Sequence, residues 1–231
     1  MKTYDLYLDS GPMRKKTFVH VPALTGCIAR GDTSDGAVAH APDAIKVYLE
    51  FLAGGGEAVD PAAPFRVRVA EHVTDGAWPG NGAGFLESDT KTLSAAEGDA
   101  LLRRLGRIHD ALRGLTAGLT AKQLDAAPAN GRPIRRILAH IVGAEGGYLR
   151  GIAGASRLAR EVDEGHTDPH DALDRLLELE TARVSAMSPR ERSEMIMRGR
   201  ARWTPRAALR RMLEHAWEHH VEIAERVNLP L

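Results

Sequence analysis

Apolar and polar residues alternate over Thr3 to Leu8 and Lys16 to Val21, and Gly26 to Arg30 forms a third short stretch of strand character. A period of two places every second side chain on one face of a pleated strand, so these stretches predict an antiparallel meander. The rhythm then changes. Val38, Ala41, Ile45, Tyr48, Leu49 and Leu52 recur at helical spacing between Ser34 and Leu52, with Asp32, Thr33 or Ser34 available as the cap. After a break at Gly54 to Gly56, Phe65, Val67, Val69 and Val73 alternate with Arg66, Arg68 and His72, which predicts a last strand. The predicted order for residues 1–73 is β-β-β-α-β, with the helix covering one face of the sheet.

Residues 74–93 are too rich in Gly and Asp for a regular element and read as an ordered connection that Trp78, Phe85 and Leu86 could pin against either domain, with an active-site cover as the alternative. From residue 94 onward the apolar period lengthens to that of helices. Leu101, Leu105, Ile108, Leu112, Leu115 and Leu119 form the stripe of a first helix, opened by Ser94 and Glu97 in capping-box spacing. Pro133 begins a second, whose stripe includes Ile134, Ile137, Leu138, Ile141, Tyr148, Leu149 and Ile152. Asp168 and Pro169 open a third, through Leu173, Leu176, Leu177 and Val184, and Thr204 with Pro205 opens a fourth, through Leu209, Met212, Leu213, Ala216 and Ile223. Four amphipathic helices of this length close one bundle core. The expected fold class is α+β, with a small α/β domain at 1–73 and an all-α four-helix bundle at 94–231.

A chain of 231 residues accommodates those two domains. Lys plus Arg and Asp plus Glu are 31 each, so no global field recruits nucleic acid or membrane. The apolar runs are far shorter than the roughly 20 residues of a membrane-spanning helix, and the N-terminus lacks the apolar core of a secretion signal. A cytoplasmic location is the expectation. Cys27 is the only cysteine, which excludes an intrachain disulfide and removes thiolate from any multidentate ligand set.

The candidate chemistry lies in the histidines. His215 and His219 stand four apart on the fourth predicted helix, and residues so spaced share a face at about 5–6 Å, so both imidazoles can reach one ion. His140 on the second helix would complete a face of three nitrogens and leave coordination positions open. Helix-face histidines without a ligand share this spacing, so spacing alone leaves both readings open. Glu222, at i+3 from His219, and Glu218, at i+3 from His215, are the carboxylates able to orient an imidazole or act as a base. His109 lies beside the stripe of the first helix, as a core-edge residue or a fourth group at the site. His166 and His170 read as solvent-facing; the basic cluster Arg198, Arg200, Arg202, Arg206, Arg210 and Arg211 reads either as ordinary surface arginines or as a group that attracts an anionic thiol or substrate, and Trp217, away from the ligand pair, reads as a packing residue.

Two resemblances sharpen these expectations. Val21, Pro22, Leu24, Gly26 and Cys27, followed by Gly31, Asp32 and Thr33 at the helix entry, resemble the HicB-type antitoxin fold over residues 3–73. Those positions specify shape, and no accompanying DNA-binding module is evident. The helical half resembles the DinB-like superfamily of four-helix proteins, which includes bacterial thiol-dependent transferases. His140 and Ile141 followed by Glu145 and Tyr148, the entry Trp203 to Pro205, and the run Glu214 to His219 carry that match. The resemblance implies a divalent metal, zinc or nickel, on His140, His215 and His219. It also implies activation of a low-molecular-weight thiol for transfer to a small electrophile, with a homodimer left open. The alternative is a non-catalytic interaction protein whose HicB-like head binds a partner while the metal stabilises the bundle. A HicB-like head joined to a DinB-like bundle resembles a recognised bacterial arrangement.

Overall fold

The computed structural model describes residues 1–10, 16–74, 84–129, 131–163 and 168–227. Trp78 and His166 lie outside them. The chain divides into two compact units: Met1–Lys91 with Met197–Trp203, and Thr92–Ile196 with the segment that begins at Thr204.

The first unit is built on a four-stranded sheet in the order β3-β2-β1-β4. Strands β1 (Lys2–Asp9), β2 (Thr17–His20) and β3 (Ile28–Gly31) form the expected antiparallel meander, with Leu8 opposite Val19 and Phe18 opposite Arg30. Helix α1 (Ser34–Gly54) then carries the chain back, so that β4 (Phe65–Val73) joins β1 in parallel. A parallel neighbour needs such a crossover, because a tight turn reverses direction. Thr33 is the helix cap: its hydroxyl accepts the Gly36 amide at 3.1 Å, satisfying a donor that the first turn leaves open. Ala37, Ala41, Ile45, Tyr48, Leu49 and Leu52 are the buried face of α1, while Val38 is only half-buried. The helix entry comes close to Gly31. A Cβ on Gly31 would stand 2.4 Å from the Ala37 nitrogen, so only glycine fits. Cys27 is buried in this unit as an apolar filler.

The connection contains structure that its composition did not predict, a short 3-10 turn at Glu87–Thr90. Asp89, wholly buried, accepts the Leu86 amide at 2.9 Å and holds that turn closed. Leu86 is buried, and the Phe85 ring lies 4.6 Å beneath the Arg202 guanidinium. Arg202 belongs to a two-stranded hairpin, β5 (Ile196–Arg198) and β6 (Ala201–Trp203), in the segment between the third and fourth predicted helices, for which the sequence pattern predicts no element. Gly199, at φ +60°, occupies its turn, a conformation suited to a residue without Cβ.

In the second unit four long helices, α2 (Ala95–Thr116), α4 (Ile134–Leu149), α6 (Pro169–Ser185) and α7 (Pro205–Val227), pack around a shared core. Two short helices, α3 (Ala121–Asp125) and α5 (Leu158–Asp163), lie in the connections. Helices α2 and α4 each pack against both α6 and α7. That cyclic arrangement places α2 and α4 across a diagonal. Leu105, Ile108, Leu112, Ile137, Ile141, Leu176 and Leu213 are essentially inaccessible to solvent and fill the centre. The caps expected at Ser94 and Asp168 both form, with Ser94 accepting the Glu97 amide at 3.1 Å and Asp168 the His170 amide at 2.8 Å.

Candidate metal centre

Helices α4 and α7 run antiparallel, since His140 meets His215 and His219 while Tyr148 meets Arg211. One ligand-capable atom from each of His140, His215 and His219 lies within 4.8 Å of the other two. His140 Nε2 is 3.2 Å from His215 Nε2. The three rings meet edge to face, His215 and His219 with centroids 4.6 Å apart and His140 at 4.9 and 5.2 Å from them. His215 and His219 are each 8 % exposed, and His140 is the more open of the three.

The electrostatics favour neutral imidazoles. Burial pushes His215 well below the usual imidazole range, reinforced by His219, Arg211, His140 and Arg132. Burial, then Arg132 and His219, lowers His140, with Glu222 opposing. A neutral ring keeps a nitrogen lone pair, the form in which histidine is a ligand.

Glu222, one of the two candidate carboxylates, reaches an imidazole. Its Oε2 is 2.7 Å from His219 Nδ1, and its Oε1 accepts from Arg226, which also donates to the Arg132 carbonyl. An ionised carboxylate only accepts, so this bond is made by an Nδ1–H, and in a neutral ring Nε2 is then the nitrogen with the free lone pair. Glu218 is half-buried on the same helix.

The remaining sequence candidates separate. His109 lies in the bundle interior, bonded through Nε2 to Glu145 Oε2 at 3.0 Å across the α2–α4 diagonal. His170 Nε2 is 2.9 Å from the Thr116 hydroxyl, so this histidine is tied to α2 instead of standing in solvent. His220 stacks on Trp217 at 4.9 Å, and burial lowers it to about 4. The arginine series is not one surface patch. Arg206 pairs with Glu97, Arg202 covers Phe85, and Arg210 and Arg211 are buried around Glu214. A charged residue inside an amphipathic stripe was the one available signal for burial, since position 211 precedes Met212 and follows Leu209 by two.

A model of the DinB superfamily matches residues 104–223, more than half of the chain and all three clustered histidines. The chain belongs to the DinB superfamily. Among solved structures, this DinB-superfamily chain is similar to YfiT from Bacillus subtilis, a probable metal-dependent hydrolase with an unusual four-helix bundle topology. The two share 18% identity over 60% of this chain and 92% of that one, with a TM-score of 0.46. No curated protein matches the sequence. No helix among the described residues is long and apolar enough to cross a membrane.

Proposed function

We propose that this DinB-superfamily chain is a divalent-metal-dependent enzyme that activates a low-molecular-weight thiol for transfer to a small electrophile. His140, His215 and His219 are the ligands in this reading, with zinc or nickel as the ion. The observation that carries it is the convergence of three imidazoles, two of them held neutral by burial, within 4.8 Å. Their spacing suits the group: a tetrahedral ion with bonds of about 2.0–2.1 Å keeps neighbouring nitrogens about 3.3 Å apart, against 3.2 Å between His140 and His215. An ion bound by three neutral ligands keeps its full charge and lowers the pKa of a coordinated thiol or water. Glu222 fixes the tautomer and the ring orientation of His219, and Arg226 in turn fixes Glu222. His215, the more deeply set partner of His140, keeps bulk water from one side of the cluster.

The N-terminal unit is HicB-like in this reading, supported by its β-β-β-α-β order and by the Thr33 cap within the Gly31-Asp32-Thr33 entry. The proposed domain limits are 1–73 and 94–231, with 74–93 as the connection, and the proposed location is cytoplasmic.

The test is to load the full-length chain with zinc or nickel, supply 2-mercaptoethanol and 1-chloro-2,4-dinitrobenzene, and identify products by mass. The sulfur–carbon bond forms as chloride leaves with its electron pair, and the thiol proton passes to solvent. Metal-dependent thioether formation that is lost in His219→Ala is expected. Turnover of other activated electrophiles to water adducts alone, with no thioether, would turn the reading to hydrolysis.

Glu222→Gln is expected to weaken zinc affinity by about 10–100-fold, the usual cost of removing an outer partner of a ligand histidine. Competition with a chelating dye measures it. Unchanged affinity would restrict Glu222 to its ion pair with Arg226.

A further inference from the structure

The sheet of the first unit ends on an open strand. In the order β3-β2-β1-β4, β4 has β1 on one side, and among the described residues no strand lies on the other. An edge strand offers a row of amides and carbonyls to any extended chain of suitable pattern, and folds usually blunt such an edge with bulges or charge. The bulge of β4 comes late, opposite the step from Leu6 to Tyr7, and leaves residues 65–69 in regular register with residues 2–6.

Over that stretch the pattern alternates strictly, with Phe65, Val67 and Val69 on one face and Arg66 and Arg68 on the other. The apolar face is unfinished. Val69 is 48% exposed and Phe65 and Val67 are half-buried, whereas Tyr4 and Leu6, opposite Val67 and Val69 on β1, are fully buried. A cavity of about 570 Å³ opens beside Phe65 and Val67, walled by Pro42 and Lys46 of α1 and by Pro61 and Pro64. Its walls are formed in advance. Asp60 closes the turn before Pro64, accepting the Ala62 amide through Oδ1 at 2.9 Å and the Ala63 amide through its carbonyl at 3.2 Å. The Tyr4 ring backs Phe65 edge-on, with centroids 5.4 Å apart. Prolines and a supported ring lose little freedom when a ligand arrives.

Charge selects the occupant. The charged residues of the lining are Lys46 and Arg66, both cations. Arg66 is exposed, and Lys46 has only a 3.7 Å pair with the exposed Asp43, an interaction of little worth in water. Arg68 pairs with Asp5 at 2.7 Å but is 69% exposed. A second copy laid antiparallel on residues 65–69 about Val67 would set Arg66 opposite Arg68 twice, and like charges so placed are destabilising. A segment in which acidic and aliphatic residues alternate meets both faces, with carboxylates beside Arg66 and Arg68 and aliphatic side chains along Phe65, Val67 and Val69.

We propose that the outer edge of β4 docks an extended segment of a partner protein with alternating acidic and aliphatic residues, which joins the four-stranded sheet as a fifth strand. Main-chain pairing supplies the affinity and the alternation supplies the choice of partner. No residue of the three-histidine centre takes part, so this inference is independent of the metal reading.

The experiment titrates the full-length chain against a short fluorescein-labelled peptide of alternating Glu and Val, followed by fluorescence anisotropy. The Lys–Val counterpart is expected to bind more weakly, on the order of 10-fold or more, because the charges opposite Arg66 and Arg68 change sign. Two versions of the Glu–Val peptide, each methylated on one alternate set of backbone nitrogens, should differ: the set that faces β4 is needed for pairing and the other is not. Arg66→Glu, at an exposed position, should weaken the Glu–Val peptide and strengthen the Lys–Val one. Equal affinity for the two peptides, or equal behaviour of the two methylated versions, would overturn the proposal. A peptide with its Glu and Val residues in separate blocks that bound as tightly would reduce the cavity to a site for an isolated apolar anion. Sedimentation of the free chain covers the remaining case, since a dimer that Val69→Lys breaks would give the edge to a second copy and overturn the assignment to a partner.

Discussion

Replacing His215 with alanine is expected to abolish nearly all of the thermal stabilisation that excess zinc confers on the wild-type chain. An ion that binds only the folded state stabilises it by about 4 kcal/mol when its free concentration is 1,000 times the dissociation constant. For a unit of roughly 150 residues each kcal/mol is worth about 2–4 °C, so the wild-type increment should be on the order of 10 °C. His215 is the central member of the cluster, 3.2 Å from His140 and with its ring 4.6 Å from that of His219, so its loss leaves two ligands on different helices. The affinity loss should exceed the roughly 10–100-fold cost of losing an outer partner. Truncating a buried imidazole also leaves a void, so the metal-free mutant should melt lower. The comparison is therefore between increments, with and without zinc, in each protein. Elemental analysis after dialysis gives the independent measure. Equal zinc retention and equal increments would remove His215 from the ligand set.

The second large effect concerns Glu180. Three helices bring His109, Glu145 and Glu180 into the bundle core, each 3 % exposed or less. Glu145 bonds His109 through one oxygen, but among the described residues neither Glu180 oxygen has a hydrogen-bond partner. Burial, and after it the negative field of Glu145, raises Glu180 well above the usual carboxylate range. The unfolded chain releases this proton near pH 4.3. Stability is therefore fully present below that pH and falls as pH rises toward the folded value, because the unfolded state then gives up a proton that the folded state retains. Glu180→Gln should remove this slope. Glu180→Leu should further fill the site with apolar volume, and is expected to raise stability at pH 8 by about 1–4 kcal/mol, as replacements of buried ionic groups often do. Urea midpoints at pH 5 and pH 8 decide the matter. Parallel curves for the three proteins, or a leucine variant weaker than wild type at pH 8, would mean that Glu180 is paired and contributes to the core.

These two positions differ in how far they could be read from the chain. His215 and His219 were visible because both lie on one helix, where a four-residue interval is a statement about distance. Glu180 carries no such mark, because a glutamate between apolar positions looks like any residue at the margin of a stripe. Its neighbours Leu176 and Val184 mark the buried face, but burial of position 180 depends on how the diagonal pair α2 and α4 closes over it. The choice between Glu218 and Glu222 has the same origin. Both stand at i+3 from a histidine, and only Arg226 and the Arg132 carbonyl, brought in from the segment before α4, hold Glu222 on His219.

Within single elements, the sequence alone determined a great deal: the strand alternations, the four helical stripes, the caps at Ser94 and Asp168, and the shared face of His215 and His219. Such features depend on periodicity and on contacts a few residues apart, which the order of residues encodes directly. Only the tertiary structure decided that β4 runs parallel to β1, that His109 turns into the core while His140 turns to the other histidines, and that the arginines between 202 and 211 part company. Those outcomes turn on which faces meet. A helical period states that a face is apolar but not which partner covers it, and a buried charge becomes intelligible only with the opposing residue in view.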